Sequence, residues 1–71
     1  MGTHQLDSLI KMINQISSNK AHIGSDEEAI AATVDHIQKF WSRGMKQQIR
    51  DYLAQSGDQL SELSKQSIAL L

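Results

Sequence analysis

Three histidines, eight carboxylates and a scatter of serines are the side chains here that could carry chemistry. His4, His22 and His36 stand too far apart to share the i, i+4 face of one helix. A metal site needs at least three converging protein ligands, so these histidines read as solvated. There is no cysteine, which excludes thiolate metal sites and disulfides. Asp26, Glu27 and Glu28 cluster, but directly behind Ser25, where helix capping accounts for all three. Asp58 and Glu62 fall at a turn and in the segment after it, where they cap or solvate. An acid/base pair needs a cleft that drives two pKa values apart, and a few short helices leave little room for one. No serine lies in a G-x-S-x-G elbow. Gly24-Ser25 could offer free amides to an anion, yet the three acids that follow would repel it. Neither catalysis nor a bound cofactor is expected.

The cluster Phe40-Trp41 with Met45 points to binding instead. Aromatic residues, Met and Arg are enriched where proteins meet proteins. Phe40 and Trp41 are adjacent, about 100° apart around a helix axis, so one helix contact cannot cover both rings fully. Either Trp41 anchors a small core or part of the cluster is an exposed anchor.

Seventy-one residues make one domain, 1–71. A chain this short buries only about 60% of its unfolded surface, so a partner or a second copy is the natural source of further burial. The net charge is −1, with 7 basic against 8 acidic side chains. Nucleic-acid modules carry a basic stripe, and none is evident. Lys39, Arg43, Lys46 and Arg50 could share a patch, but Asp35 and Asp51 dilute it. No apolar run approaches the ~18 residues of a membrane span, and no secretory leader is visible. Residues 1–5 read as disordered or as an expression scar.

The pattern is helical throughout. Leu6, Leu9, Ile10, Ile13 and Ile16 form one stripe from about Thr3, a plausible N-cap, to Asn19. Ile23 is placed to act as a hydrophobic staple on Ala29. Ser25 with Glu28 is a capping box opening a second helix. Its main stripe is Ile30, Val34, Ile37 and Trp41, with Ala29, Thr33 and Phe40 beside it. Gly44 is the expected left-handed stop. Met45, Ile49, Tyr52 and Leu53 share the face of a third helix, after a link so short that it forces a hairpin or a sharp corner. Ser56-Gly57-Asp58-Gln59 is a turn, and a short last helix carries Leu60, Leu63, Ser64, Ser67, Ile68 and Leu71. Its serines weaken it. The expected fold is all-α, a small bundle of three to four short helices.

The chain resembles the delta subunit family of NAD-dependent formate dehydrogenases. Leu9-Ile10-Lys11-Met12-Ile13-Asn14-Gln15-Ile16 is similar to the family's opening motif, and Asp26-Glu27-Glu28-Ala29 to its acidic second start. Asp35-His36-Ile37-Gln38-Lys39-Phe40-Trp41 resembles its His-Ile-x-x-Phe-Trp motif. Met45-Lys46, Ser56-Gly57-Asp58-Gln59-Leu60 and the closing Ile68-Ala69-Leu70-Leu71 follow at matching spacing. Two features depart from the family. Ser42-Arg43-Gly44 stands where Asp-Pro-Arg is common, and Ser17-Ser18 where aromatics often follow. The resemblance implies an accessory, non-catalytic subunit of a cytoplasmic molybdenum- or tungsten-containing complex, supporting its assembly or stability without a cofactor of its own.

The expected partner is therefore the catalytic subunit of formate dehydrogenase, with no nucleic acid and no membrane. Phe40, Trp41, Arg43 and Met45 are expected to form the binding corner, with His36 and Asn14 as polar contributors. Two alternatives remain. A free-standing helical adaptor or homodimer would turn the same apolar surface on itself. A helix-turn-helix nucleic-acid binder ranks last, because 45–54 offers only Lys46 and Arg50.

Overall fold

In a computed structural model the described residues form four helices: α1 (Thr3–Ala21), α2 (Asp26–Phe40), α3 (Arg43–Gln55) and α4 (Glu62–Ala69). The structure describes residues 3–22 and 24–71, with side chains from residue 5 onward except that of residue 23. The capping role of the Thr3 side chain, the solvation of His4 and the staple of Ile23 rest on side chains outside those described. No strand forms among the described residues, so the chain is the expected all-α bundle.

On α1 the apolar stripe does as its spacing dictates. Leu9, Ile10 and Ile13 are buried, and Leu6 and Ile16 pack against them half-buried. Each fully buried Leu or Ile contributes about 1.5–3 kcal/mol relative to an exposed one. Below them on the same face comes Ser17, also buried.

Ser25 caps α2 as expected. Its Oγ accepts from the Glu28 amide at 3.2 Å, and Glu28 Oε1 accepts from the Ser25 amide at 3.0 Å. The buried stripe differs from the expected one. Ala29, Thr33 and Ile37 point inward, at strict i, i+4 spacing that continues to Trp41, while Ile30 and Val34 are only half-buried at its flank. The two small residues let α2 approach its neighbours closely, and Thr33 satisfies its hydroxyl on Ala29 O at 2.7 Å.

A second correction concerns Gly44. It lies inside α3, and Gly57 is the residue with left-handed backbone, at φ 68°. The break comes earlier. Trp41 ends α2 in extended backbone (φ −93°, ψ 141°), and Ser42 caps α3, its Oγ accepting from the Met45 amide at 3.2 Å. At Gly57 the turn requires glycine: φ is positive, and a Cβ would also sit 3.0 Å from Leu53 Cδ1.

Ser61 caps α4 through the Ser64 amide at 3.2 Å. Here Ser64, Ser67 and Ile68 face inward. The helix packs on α1, α2 and α3, and α1 packs on the other three. Between α2 and α3 there is almost no packing, so the short link makes a sharp corner rather than a hairpin. The core inside is Leu9, Ile10, Ile13, Ile37, Trp41, Ile49, Leu60 and Ile68.

Candidate functional site

The corner between α2 and α3 divides the aromatic cluster. Trp41, at the end of α2, is 7% exposed and belongs to the core. Phe40, one residue earlier, is 71% exposed. Their angular separation on the helix leaves one ring facing each way. His36, one turn before Phe40, places its ring 4.8 Å from the Phe40 ring at a 45° tilt. Met45, on the first turn of α3, packs half-buried against the core. Thus two of the apolar corner residues close the fold, and Phe40 stands outside it.

Arg43 lines a different surface. With Gln38, Lys46, Gln47, Arg50 and Leu71 it borders a groove of about 270 Å³. Arg43, Lys46 and Arg50 follow i, i+3, i+7 spacing on one face of α3. Neither of the two acids expected to dilute them forms an ion pair with them, although Asp51 bonds to Gln47 on the groove's own wall. Asp35 pairs with Lys39 at 3.1 Å, and Asp51 accepts from Gln47 at 2.8 Å. None of the three groove cations forms an ion pair among the described residues. Gln38 lies about 200° around α2 from both His36 and Phe40, so the groove and the ring pair occupy opposite sides of that helix. The run Arg43, Lys46, Arg50 is visible in the sequence, as are the i, i+4 spacings of Asp35 to Lys39 and of Gln47 to Asp51.

Asn14 sits in neither place. Its Nδ2 donates to Gln59 O at 2.8 Å, and its Oδ1 accepts from the Ser61 amide at 3.0 Å and from Ser64 Oγ at 2.8 Å. Ser64 Oγ in turn accepts from Ser61 Oγ and lies 2.9 Å from buried Ser17 Oγ. The Tyr52 hydroxyl accepts from the Gln59 amide at 3.1 Å. Together these bonds lock the α3–α4 link onto α1, through Asn14, and onto α3, through Tyr52. On α3, by contrast, Gln48 Oε1 is shut from solvent without a donor, the lone such side-chain atom among the described residues.

Among the titratable groups, Glu28 has its carboxyl held below the usual carboxylate range. The Ser25 amide contributes most to this and the Ser25 hydroxyl next, with slight burial opposing them. Among the described residues, no three His, Asp or Glu side chains come together as a ligand set. No described helix is long and apolar enough to cross a membrane.

What the fold presents is a four-helix domain whose distinctive features are surfaces: an aromatic pair on one side of a corner and a basic groove on the other. The chain belongs to the NADH-dependent formate dehydrogenase delta subunit family, FdsD, whose family model matches residues 8–68. It is thus a formate dehydrogenase subunit, and a subunit implies a complex with others. No curated protein and no solved structure matches the chain significantly.

Proposed function

We propose that the chain is a non-catalytic accessory subunit that supports assembly or stability of a formate dehydrogenase by docking on its catalytic subunit. The enzyme meant is the cytoplasmic, NAD-dependent, molybdenum- or tungsten-containing kind that the family resemblance implies, with the redox chemistry in the other subunits. The reading is carried by Phe40, an aromatic ring left 71% exposed beside a core that Trp41 already closes. Covering such a ring on association is favourable by about 1.5–3 kcal/mol. The His36 ring beside it restricts its motion in advance, which lowers the ordering cost of binding. In this reading Phe40, His36 and Arg43 touch the partner. Trp41 and Met45 hold the corner from within, and Asn14 acts by fixing the link.

The test is capture of the catalytic subunit by the tagged chain, wild type against Phe40→Ala. The variant should melt within a few degrees of wild type, because an exposed substitution changes stability by about 0.5 kcal/mol or less. It should capture far less of the subunit. Equal capture by the two would remove Phe40 from the interface. If the wild-type chain captures nothing and its melting temperature rises with its own concentration, self-association is the better account.

A further inference from the structure

The groove beside α3 has a chemistry that the aromatic pair does not share. Arg43, Lys46 and Arg50 run along its wall without an acidic partner among the described residues, and Leu71 adds an apolar side. Like charges at i, i+4, as at Lys46 and Arg50, disfavour their own helix. Arg43, in the first turn of α3, also opposes the helix dipole, and no acid occupies that turn to offset it. The groove therefore holds three cations with no carboxylate in ion-pair contact among the described residues, the nearest acid in sequence, Asp51, bonding to the Gln47 amide instead.

We propose that this groove binds an acidic polypeptide segment of the partner subunit, with Asp or Glu carboxylates meeting Arg43, Lys46 and Arg50; this rests on the accessory-subunit reading above. The dimensions fit. Arg43 to Arg50 spans about 10 Å of helix rise, which is about three residues of extended chain. Two or three carboxylates in a short segment match three cations over that length. Guanidinium groups donate to carboxylates in a bidentate fork, and Gln38 adds an amide at the rim for the segment's backbone. A nucleic acid fits less well. Its phosphates continue past the groove, and this chain carries net charge −1 with Asp26, Glu27 and Glu28 exposed at the start of α2.

The aromatic and basic surfaces lie on opposite sides of α2, so the partner would grip the corner from both. Their salt responses then differ. Contacts of the groove weaken as salt shortens the Debye length from about 14 Å at 0.05 M to about 4 Å at 0.5 M, while the Phe40 contact does not.

The experiment has two arms. In the first, a labelled hexaglutamate peptide is titrated with the wild-type chain, with Lys46→Glu/Arg50→Glu and with Arg50→Lys, helical content being checked for each. Wild type and Arg50→Lys should bind at low salt, and the double reversal should bind at least about tenfold more weakly. In the second, capture of the catalytic subunit is measured across the same salt range. Wild-type capture should fall steeply with salt, and the double reversal should remove most of that salt dependence. Equal peptide binding by wild type and the double reversal overturns the proposal, as does tighter binding of a thymidine oligonucleotide than of hexaglutamate. Failure of wild-type capture at every salt concentration tells against the accessory-subunit reading, while the peptide arm still decides the groove.

Discussion

The Asn14 seam and the α2–α3 corner are built from different side chains and leave them in opposite states, one paired inside the fold and the other turned outward. At the seam, three serines, an asparagine and a backbone link converge, and the hydroxyls of Ser17 and Ser64 are buried with partners. At the corner, Phe40 is turned to solvent with the His36 ring beside it, and three cations make no ion pair among the described residues. Satisfied buried polar groups rigidify a small domain, whereas unsatisfied exposed ones are free for a partner. The contrast separates what holds this fold from what the fold offers.

Substitutions can break or sharpen that division. The largest effect is expected at Trp41, the corner residue that belongs to the core. Trp41→Ala removes a core ring and should destabilise by about 3–5 kcal/mol. For a domain of this size that is a loss of more than about 12 °C in Tm, read by thermal circular dichroism. Loss of partner capture by this variant would therefore report unfolding, which is why Phe40 is the better probe. Next comes Asn14→Ala. It strips partners from the Gln59 carbonyl, the Ser61 amide and the Ser64 hydroxyl, and should destabilise by about 2 kcal/mol, or about 8–16 °C in Tm. An Asn14→Ala chain that melts like wild type yet loses the catalytic subunit would make Asn14 an interface residue and collapse the division.

A smaller effect is expected at the Ser25–Glu28 box, and it depends on pH. The folded carboxyl titrates below its ordinary value of 4.5. Its stabilisation is therefore complete above that value and is lost as pH falls through the folded pKa. Thermal melts between about pH 6 and pH 3 should show wild type losing more Tm than Glu28→Gln. Parallel curves for the two would mean that the box is not formed. Phe40→Ala should change stability least of all.

Much of the fold was legible from local signals. The capping box at Ser25 and the α1 stripe needed only neighbours within one or two turns. Ser42 was overlooked as a helix start because Gly44, two residues on, is the stronger stop signal, and no Glu at Met45 completes a box. The face of α2 was misread because residue size was taken for depth. Ala29 and Thr33 are inside since their smallness permits close helix approach, and larger Ile30 and Val34 cover the flank. The serines of α4 looked like weak helix formers, yet Ser64 and Ser67 face inward, and Ser64 finds its partners on α1. Nothing local to α4 could announce Asn14, whereas the i, i+4 spacings of Asp35 to Lys39 and of Gln47 to Asp51 are local to α2 and α3. The separate fates of Phe40 and Trp41 were half legible: the angle between them required different surroundings, but only the assembled bundle decides which ring goes in.

The partners joined by Asn14 lie 45 to 50 residues away from it in sequence. That distance orders events in time. A helix of 8 residues such as α4 has almost no helicity alone and takes shape only against a docked surface. As the chain leaves the ribosome, α1 and α2 emerge with the hydroxyl of Ser17 and the amide of Asn14 still in water. The seam can close only after Ser61 and Ser64 have followed. A newly made chain would thus hold α3 and its groove against a closed seam only after those two serines have been added.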